Sequence, residues 1–541
     1  MSGVDELLGG WLDEELEREP TRATALGVSG HDHELGDFSA ARFEARPHDD
    51  QRWAGAISQL SLPALPLDER VDLMTVLATL AGRQVMDDWS PWRRDPSIYL
   101  GPCLNGIFVL WLHRLHADAE LAAASVARME QIPMVLADAR ANLDADLVPP
   151  LFARRGAAQA RAAVRYFAEQ LPSEVEDAGL RSRLAAAAAA PATAFQEMAV
   201  WLAELAERSS GDWCIGERRY TALLRERELL GVDAAGLHER GRAAYEELSR
   251  EMTELARAID PSASGWPEVL AALDADCPET PEDMRRGYER SCAEARRFLA
   301  DRELVSFADG ERCLVVPAPV FRRPVLAVAS YEEAPPFSAS RVGHFFVPFP
   351  PEGESPEDVR QRLANNGHHA IPTTAVHEAY PGHHWHLSWS AGTPRPIRKV
   401  LTTSYFVEGW ALYAERMMRE QGFFADDRQV LSHLAARIFR AARIVVDTAL
   451  HTGSMAAEEA VAFMRDRTLT PEPVARAEVE RYCSWPTQAA SYLTGSLQIE
   501  ALRDRWVADS RGSLKQFHDA VAANPGLPVA LVEQLLFPSG S

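Results

Sequence analysis

The segment 371–389 reads IPTTAVHEAYPGHHWHLSW, and the reading of the whole chain turns on it. Pro372 suits a first helical turn, where its missing N–H costs nothing. The residues that follow are apolar enough for a buried helix. His377-Glu378 begins like H-E-x-x-H, in which two histidines four apart share a helical face and hold zinc while the glutamate acts as general base. The pattern is not completed, because Pro stands at position 381 and the next histidines are His383 and His384.

On a regular helix His384 would return to nearly the face of His377, but about 10 Å further along the axis, and His383 would lie about 9 Å along on another face. Neither could share a metal bound at about 2.1 Å. Pro381 and Gly382 both disrupt helices, so a bulge at these residues can swing the next histidine back beside His377. His383 is the favoured second ligand and His384 the runner-up. The third ligand is expected from a second helix in TTSYFVEGWALYAERMMRE (402–420), where Glu408 sits in an apolar run that would make an unpaired charge costly. Glu415, seven residues on, shares nearly the same face and can accept from a ligand histidine. Two histidines, one carboxylate and an open position make a catalytic zinc set.

Outward from this segment the chain is globular in composition, with 541 residues, 47% hydrophobic and 25% charged. Such a length alone suggests three or four domains of about 150 residues. The 56 Lys+Arg against 79 Asp+Glu, net −23, argue against broad binding to nucleic acid or anionic membrane. The N-terminus MSGVDELLGGWLDEELEREP is acidic where a signal peptide is basic, and no run reaches about 20 apolar residues. Six scattered cysteines without a C-x-x-C pair read as reduced thiols. The expected location is the cytoplasm.

Apolar spacing of three and four marks helices at 67–90, 236–259 and 282–300. The Ala-rich run 180–208 is strongly helix-forming, with a kink or break expected at Pro191. Between Cys313 and Phe349, β-branched and aromatic runs separated by Pro and Ser predict two or three short strands in a small antiparallel sheet. Ser355 reads as an N-cap before Pro356. No Gly/Ser linker divides the chain, so 1–541 is expected to be a single helical unit of one or two lobes, with the sheet at 311–349 and the metal-site helices at 371–420.

HEAYPGHH (377–384) followed by EGWALYAE (408–415) resembles the bacterial family known as domain of unknown function 885. The resemblance runs nearly end to end, through TRATALGVSGHDHELGDFS (21–39), RIVVDTALH (443–451) and SWPTQAASYLTG (484–495). Members resemble helical zinc peptidases of the thermostable carboxypeptidase Taq type. The resemblance implies a mainly α, zincin-like fold with a deep cleft and a small sheet, zinc on His377, His383 and Glu408, and Glu378 as base. Where the family commonly has Pro-Gly-Gln this chain has Pro486-Thr487-Gln488, and Trp385-His386 replace a frequent Leu-Gln pair, changes expected to alter the pocket lining.

The chemistry expected of this set is hydrolysis by metal-activated water, with Glu378 passing the proton to a leaving amine. Tyr492 is the first candidate to stabilise the oxyanion, because a phenol donates without adding charge. Arg443, Asp447 and His451 share a helical stripe. Arg443 could hold a substrate carboxylate, His451 could assist charge stabilisation and Asp447 could support the site, although a structural ion-pair ladder explains the stripe equally well. RVGHFFVPF (341–349) could be an edge strand that pairs with an extended peptide and places His344 on substrate. An ordinary hydrophobic strand with His344 exposed is the preferred alternative. No cysteine-nucleophile, G-x-S-x-G or phosphate-loop motif is present.

These readings converge on a zinc-dependent peptidase-like hydrolase with one Zn2+ per chain, of which a carboxypeptidase is one subtype. Its expected partner is a peptide or small amide, with no nucleic acid or membrane, and a homodimer is compatible with the chain. The rivals are a metal-dependent amidase or esterase acting on a non-peptide metabolite, and a non-catalytic zinc-containing binding protein.

Overall fold

A computed structural model describes residues 3–538 apart from 320, 321, 324, 325, 327 and 352. The protein is mainly helical with one small sheet. It divides into two compact units, Met1–Ile215 with Pro335–Ala339, and Gly216–Ala334 with Ser340–Ser541.

In the first unit the anticipated helix at 67–90 spans Leu67–Asp87. The Ala-rich helix runs unbroken from Ala178 to Arg208 through Pro191, so the expected break does not occur. Alanine's high helix propensity on both sides carries the helix past the missing N–H. The 21–39 motif gains a physical role here. The fully buried Arg128 donates to the carbonyls of Glu34 at 3.0 Å and His31 at 3.1 Å, to that of Gly106, and to the Thr24 hydroxyl at 2.6 Å. The motif is folded around one guanidinium whose five donors need acceptors in the core.

The second unit holds every candidate site residue. Its labelled elements are α1 (Pro281–Asp301), β1 (Arg312–Pro317), β2 (Ser330–Glu332), β3 (Val342–Val347), α2 (Ile371–Glu378), α3 (His383–Ser388), α4 (Ser404–Glu420), α5 (Asp427–Thr452), α6 (Glu472–Ser484) and α7 (Gln488–Ala508). The helix at 236–259 spans Ala234–Ile259, and Ser355 caps its helix by accepting from the Asp358 N–H.

The strand order β1-β3-β2 corrects two expectations. The sheet is mixed, because β1 pairs with β3 in parallel while β2 pairs with β3 antiparallel. RVGHFFVPF is accordingly no edge strand, since its core β3 is central and hydrogen-bonded on both sides. Burial gives the reason: Gly343, Phe345, Phe346 and Val347 are buried, and the most apolar strand takes the middle. The long segment 318–341 between β1 and β3 allows the crossover that a parallel pair needs. His344 is half-buried, its ring stacked on Phe346 with centroids 5.9 Å apart.

Two glycines set the packing around the site. A Cβ on Gly495 of α7 would lie 1.8 Å from the Tyr405 carbonyl oxygen of α4, and one on Gly409 would lie 2.6 Å from the Gly495 carbonyl carbon. Helices α4 and α7 therefore touch backbone to backbone, and this brings Glu408 and Tyr492 into one neighbourhood. Gly495→Ala is expected to force the helices apart and to cost about 1–3 kcal/mol, read as a lower denaturation midpoint in urea. An unchanged midpoint would contradict the close approach.

Candidate metal centre

Helix α2 ends at Glu378, and after four intervening residues α3 begins at His383. The turn between them contains a cis Tyr380–Pro381 peptide and folds back on α2. The Gly382 N–H donates to the Val376 carbonyl at 2.9 Å, and the Trp385 N–H donates to the Ala379 carbonyl at 3.0 Å. A Cβ on Gly382 would lie 1.8 Å from the His377 carbonyl oxygen, so only glycine fits. The indole of Trp410, on α4, donates to the Pro381 carbonyl at 2.7 Å and fastens the turn from the other side. This is the bulge that the histidine spacing demands.

Its consequence is that His377 and His383 face one another, with ring centroids 4.8 Å apart at 87°. Glu408 Oε2 lies 3.3 Å from His383 Nε2 and 3.7 Å from His377 Nε2. Donor atoms bound tetrahedrally at about 2.0–2.1 Å sit about 3.3–3.4 Å from one another. The three donor atoms fall within 4.8 Å of each other, close to that requirement, and together they form the group able to hold a metal among the described residues. His377 and His383 are buried, whereas Glu408, Glu378 and Tyr492 are half-buried and leave one side of the cluster open to solvent.

Around the trio stands a second layer. Glu415 Oε1 accepts from His377 Nδ1 at 2.7 Å, as expected from its place on α4. The other Glu415 oxygen lies 3.3 Å from Nδ1 of the fully buried His433 on α5, a residue no sequence signal marked. An apolar helical run gives a buried histidine no distinguishing spacing. Burial pushes the His377 pKa down, but Glu408 and Glu415 outweigh it and raise the pKa to about 9. Burial likewise favours a neutral Glu408, yet its contacts with the two histidines hold the carboxyl well below its ordinary range. Two ionised carboxylates about one imidazole make a pocket for positive charge, where a metal can take the place of the proton. Burial raises the pKa of Glu378, and repulsion from Glu408 adds to this against the attraction of His377 and His383. Arg440, which touches no carboxylate among the described residues, also feels the charges of Glu378 and Glu415.

Tyr492 lies nearly parallel to His377, with rings 6.5 Å apart at 15°. Gln488 Nε2 donates to its hydroxyl at 3.5 Å. Arg443 packs its guanidinium 4.7 Å from the Tyr492 ring centre, but donates to the Tyr482 hydroxyl at 2.9 Å and to Glu478 at 2.6 Å. Its hydrogen bonds therefore serve the α5–α6 packing instead of an open substrate site.

Other candidates are placed elsewhere. His384 turns away from the trio, with Nε2 2.6 Å from Glu311 Oε2 and Nδ1 2.9 Å from the Tyr331 hydroxyl. Both ring nitrogens are engaged, so it is no metal ligand in this arrangement. Asp447 does not support the trio but accepts from the Tyr220 hydroxyl at 2.5 Å and from the Thr487 N–H at 3.1 Å. Burial raises its pKa to about 7 against those hydrogen bonds. His451 is fully buried, with Nε2 2.9 Å from the Tyr482 carbonyl, and cannot reach a substrate. Trp385 and His386 belong to the packed interior. Both are fully buried, Trp385 stacked on Trp410 at 5.3 Å and His386 against Phe406 at 5.0 Å, and burial lowers the His386 pKa to about 3.

Across residues 20–536 the chain matches the model of a family described as bacterial protein of unknown function (DUF885). The protein belongs to this family. No curated protein matches the chain. Among solved structures, a "putative lipoprotein" of unknown function from Shewanella oneidensis is similar at a TM-score of 0.80 and 21% identity, over 99% of this chain and 100% of that one. A "putative lipoprotein" from Colwellia psychrerythraea is similar at a TM-score of 0.82 and 19% identity, over 98% of both chains. At these identities the likeness is one of fold.

Thr487 adopts φ 73°, in the left-handed region that favours glycine. A β-branched residue is strained there, and the Asp447 carboxylate holds its N–H. Thr487→Gly is expected to stabilise the chain by about 1 kcal/mol, seen as a higher urea midpoint. Destabilisation would show that the threonine side chain makes a compensating contact.

Proposed function

We propose that this protein is a zinc-dependent hydrolase that cleaves peptide or small amide bonds, with one ion held by His377, His383 and Glu408. The observation that carries this reading is the convergence of three donor atoms next to Glu378, a half-buried carboxylate without a hydrogen-bond partner among the described residues. A closed structural site would need no such neighbour. A zinc ion in that set supplies Lewis acidity to a carbonyl and to water.

The chain's own residues do the rest. Glu415 holds the Nδ1 proton of His377 and so leaves Nε2 facing the position that His383 and Glu408 also face, where a metal would replace its proton. Glu378 takes a proton from water and returns it to the leaving amine, and its upward-shifted pKa suits a group that must do both. Gln488 donates to the Tyr492 oxygen, which leaves the phenolic proton free for a developing oxyanion. A carboxypeptidase subtype rests on the resemblance to the thermostable carboxypeptidase Taq type alone, since the Arg443 and Arg481 guanidiniums near Tyr492 are both paired with Glu478. A zincin-like relation to the thermostable carboxypeptidase Taq type rests on the helical build and the H-E start of the motif.

We propose a cytoplasmic location, in keeping with six cysteines that all stand as free thiols. The lipoprotein description belongs to the structural neighbours. Recovery of the native chain in the membrane or periplasmic fraction would contradict this placement.

Glu378→Gln is expected to keep one zinc per chain while hydrolysis of a peptide library falls by about 10²–10⁴-fold. Retained hydrolysis would remove Glu378 from the mechanism. A zinc-loaded wild type inactive on peptides but active on an ester or amide panel would move the substrate to a non-peptide metabolite.

A further inference from the structure

Beside the metal trio lies a second buried cluster, built on Glu311 just before β1. Its side chain is 1% exposed, as is that of His384. Arg296 of α1 donates to Glu311 Oε1 through Nε at 3.0 Å and Nη2 at 2.9 Å. The other oxygen, Oε2, accepts from the Tyr380 hydroxyl at 2.6 Å and meets His384 Nε2 at 2.6 Å. An ionised carboxylate only accepts, so Nε2 carries its proton toward Glu311, and in a neutral ring Nδ1 accepts from the Tyr331 hydroxyl. Tyr331 is itself seated by Gly343 of β3, where a Cβ would lie 1.9 Å from the phenol oxygen.

Tyr380 and His384 flank the turn that presents His383. One is the residue before Pro381-Gly382, and the other follows His383 directly. A single carboxylate oxygen thus ties both ends of a turn whose shape alone brings His383 back to His377. His383 lacks such support of its own, because its Nδ1 is buried with no hydrogen-bond partner among the described residues. Metal-binding histidines ordinarily have the second nitrogen held by an acceptor, which orients the ring. His377 has Glu415 for this purpose, while no acceptor holds the second nitrogen of His383, and the ring depends more heavily on where its backbone is set.

We propose that Glu311 is the positioning residue for His383: by clamping Tyr380 and His384 to one oxygen, it fixes the turn that completes the metal site, and the small sheet serves as its mount. This rests on the metal-binding reading above. In this role Glu311, at the entry to β1, and Tyr331 of β2 shape a centre whose ligands all lie on helices.

The test is zinc affinity of the full chain, measured by competition with a chelating dye at one pH, for the wild type, Glu311→Gln, Tyr380→Phe and Tyr331→Phe. Thermal midpoints of the metal-free proteins are recorded beside it. Glu311→Gln is expected to weaken zinc binding by about 10–100-fold, the usual effect of losing an outer partner of a metal site. The two Tyr→Phe variants should weaken it less, each still binding one ion. A purely structural strut would lower the metal-free midpoints and leave every dissociation constant unchanged, which would overturn the proposal. If Glu311→Gln does not fold, wild-type affinity in both tyrosine variants would overturn it equally. A wild type that takes up no zinc would instead reject the metal reading itself.

Discussion

The structure around the candidate centre depends on one close contact, that of the Gly382 backbone against the carbonyl of His377. A helix that continued past Glu378 would carry the next histidines about 9–10 Å away, beyond any shared ion. Because Gly382 has no side chain, the chain can fold against α2 and begin α3 with His383 beside His377. The interaction works because several groups hold it: the Val376 carbonyl, the Trp410 indole, and the Glu311 carboxylate.

Helix α4 is the element against which that turn is registered. Within eight residues it supplies Glu408 to the trio, Gly409 to the crossing with α7, Trp410 to the turn and Glu415 to His377. The 408–415 motif is long because each of these residues meets a different neighbour. The crossing with α7 then brings in Tyr492, and the strained Thr487, held by Asp447, starts that helix at the correct point. Conformational strain at one residue is offset by the hydrogen bond its N–H donates to a buried carboxylate.

Much of this was legible in the sequence, for local reasons. The interrupted H-E motif names His377, and its Pro-Gly insertion argues for a bulge. A glutamate in an apolar run names Glu408, and seven-residue spacing on a helix names Glu415. Helices with clear periodicity and a Ser-Pro start emerge nearly as expected. Information carried by long-range pairing was not accessible. Strand content at 313–349 could be read, but not that β3 takes the centre, since strand order is decided by which strand buries best. The choice between His383 and His384 depends on Glu311, some seventy residues upstream, and nothing near Glu311 marks it. Likewise the stripe Arg443, Asp447 and His451 is real as geometry, but its partners Glu478, Tyr220 and Tyr482 come from other helices.

The central claim is that His377, His383 and Glu408 bind one ion while His384 stands outside. A crystal structure of the zinc-loaded protein, with anomalous data on both sides of the zinc edge, addresses it directly. The account predicts a single strong anomalous peak within bonding distance of His377 Nε2, His383 Nε2 and Glu408, with His384 still bonded to Glu311. A peak coordinated by His384, or zinc bound away from these three residues, would contradict it.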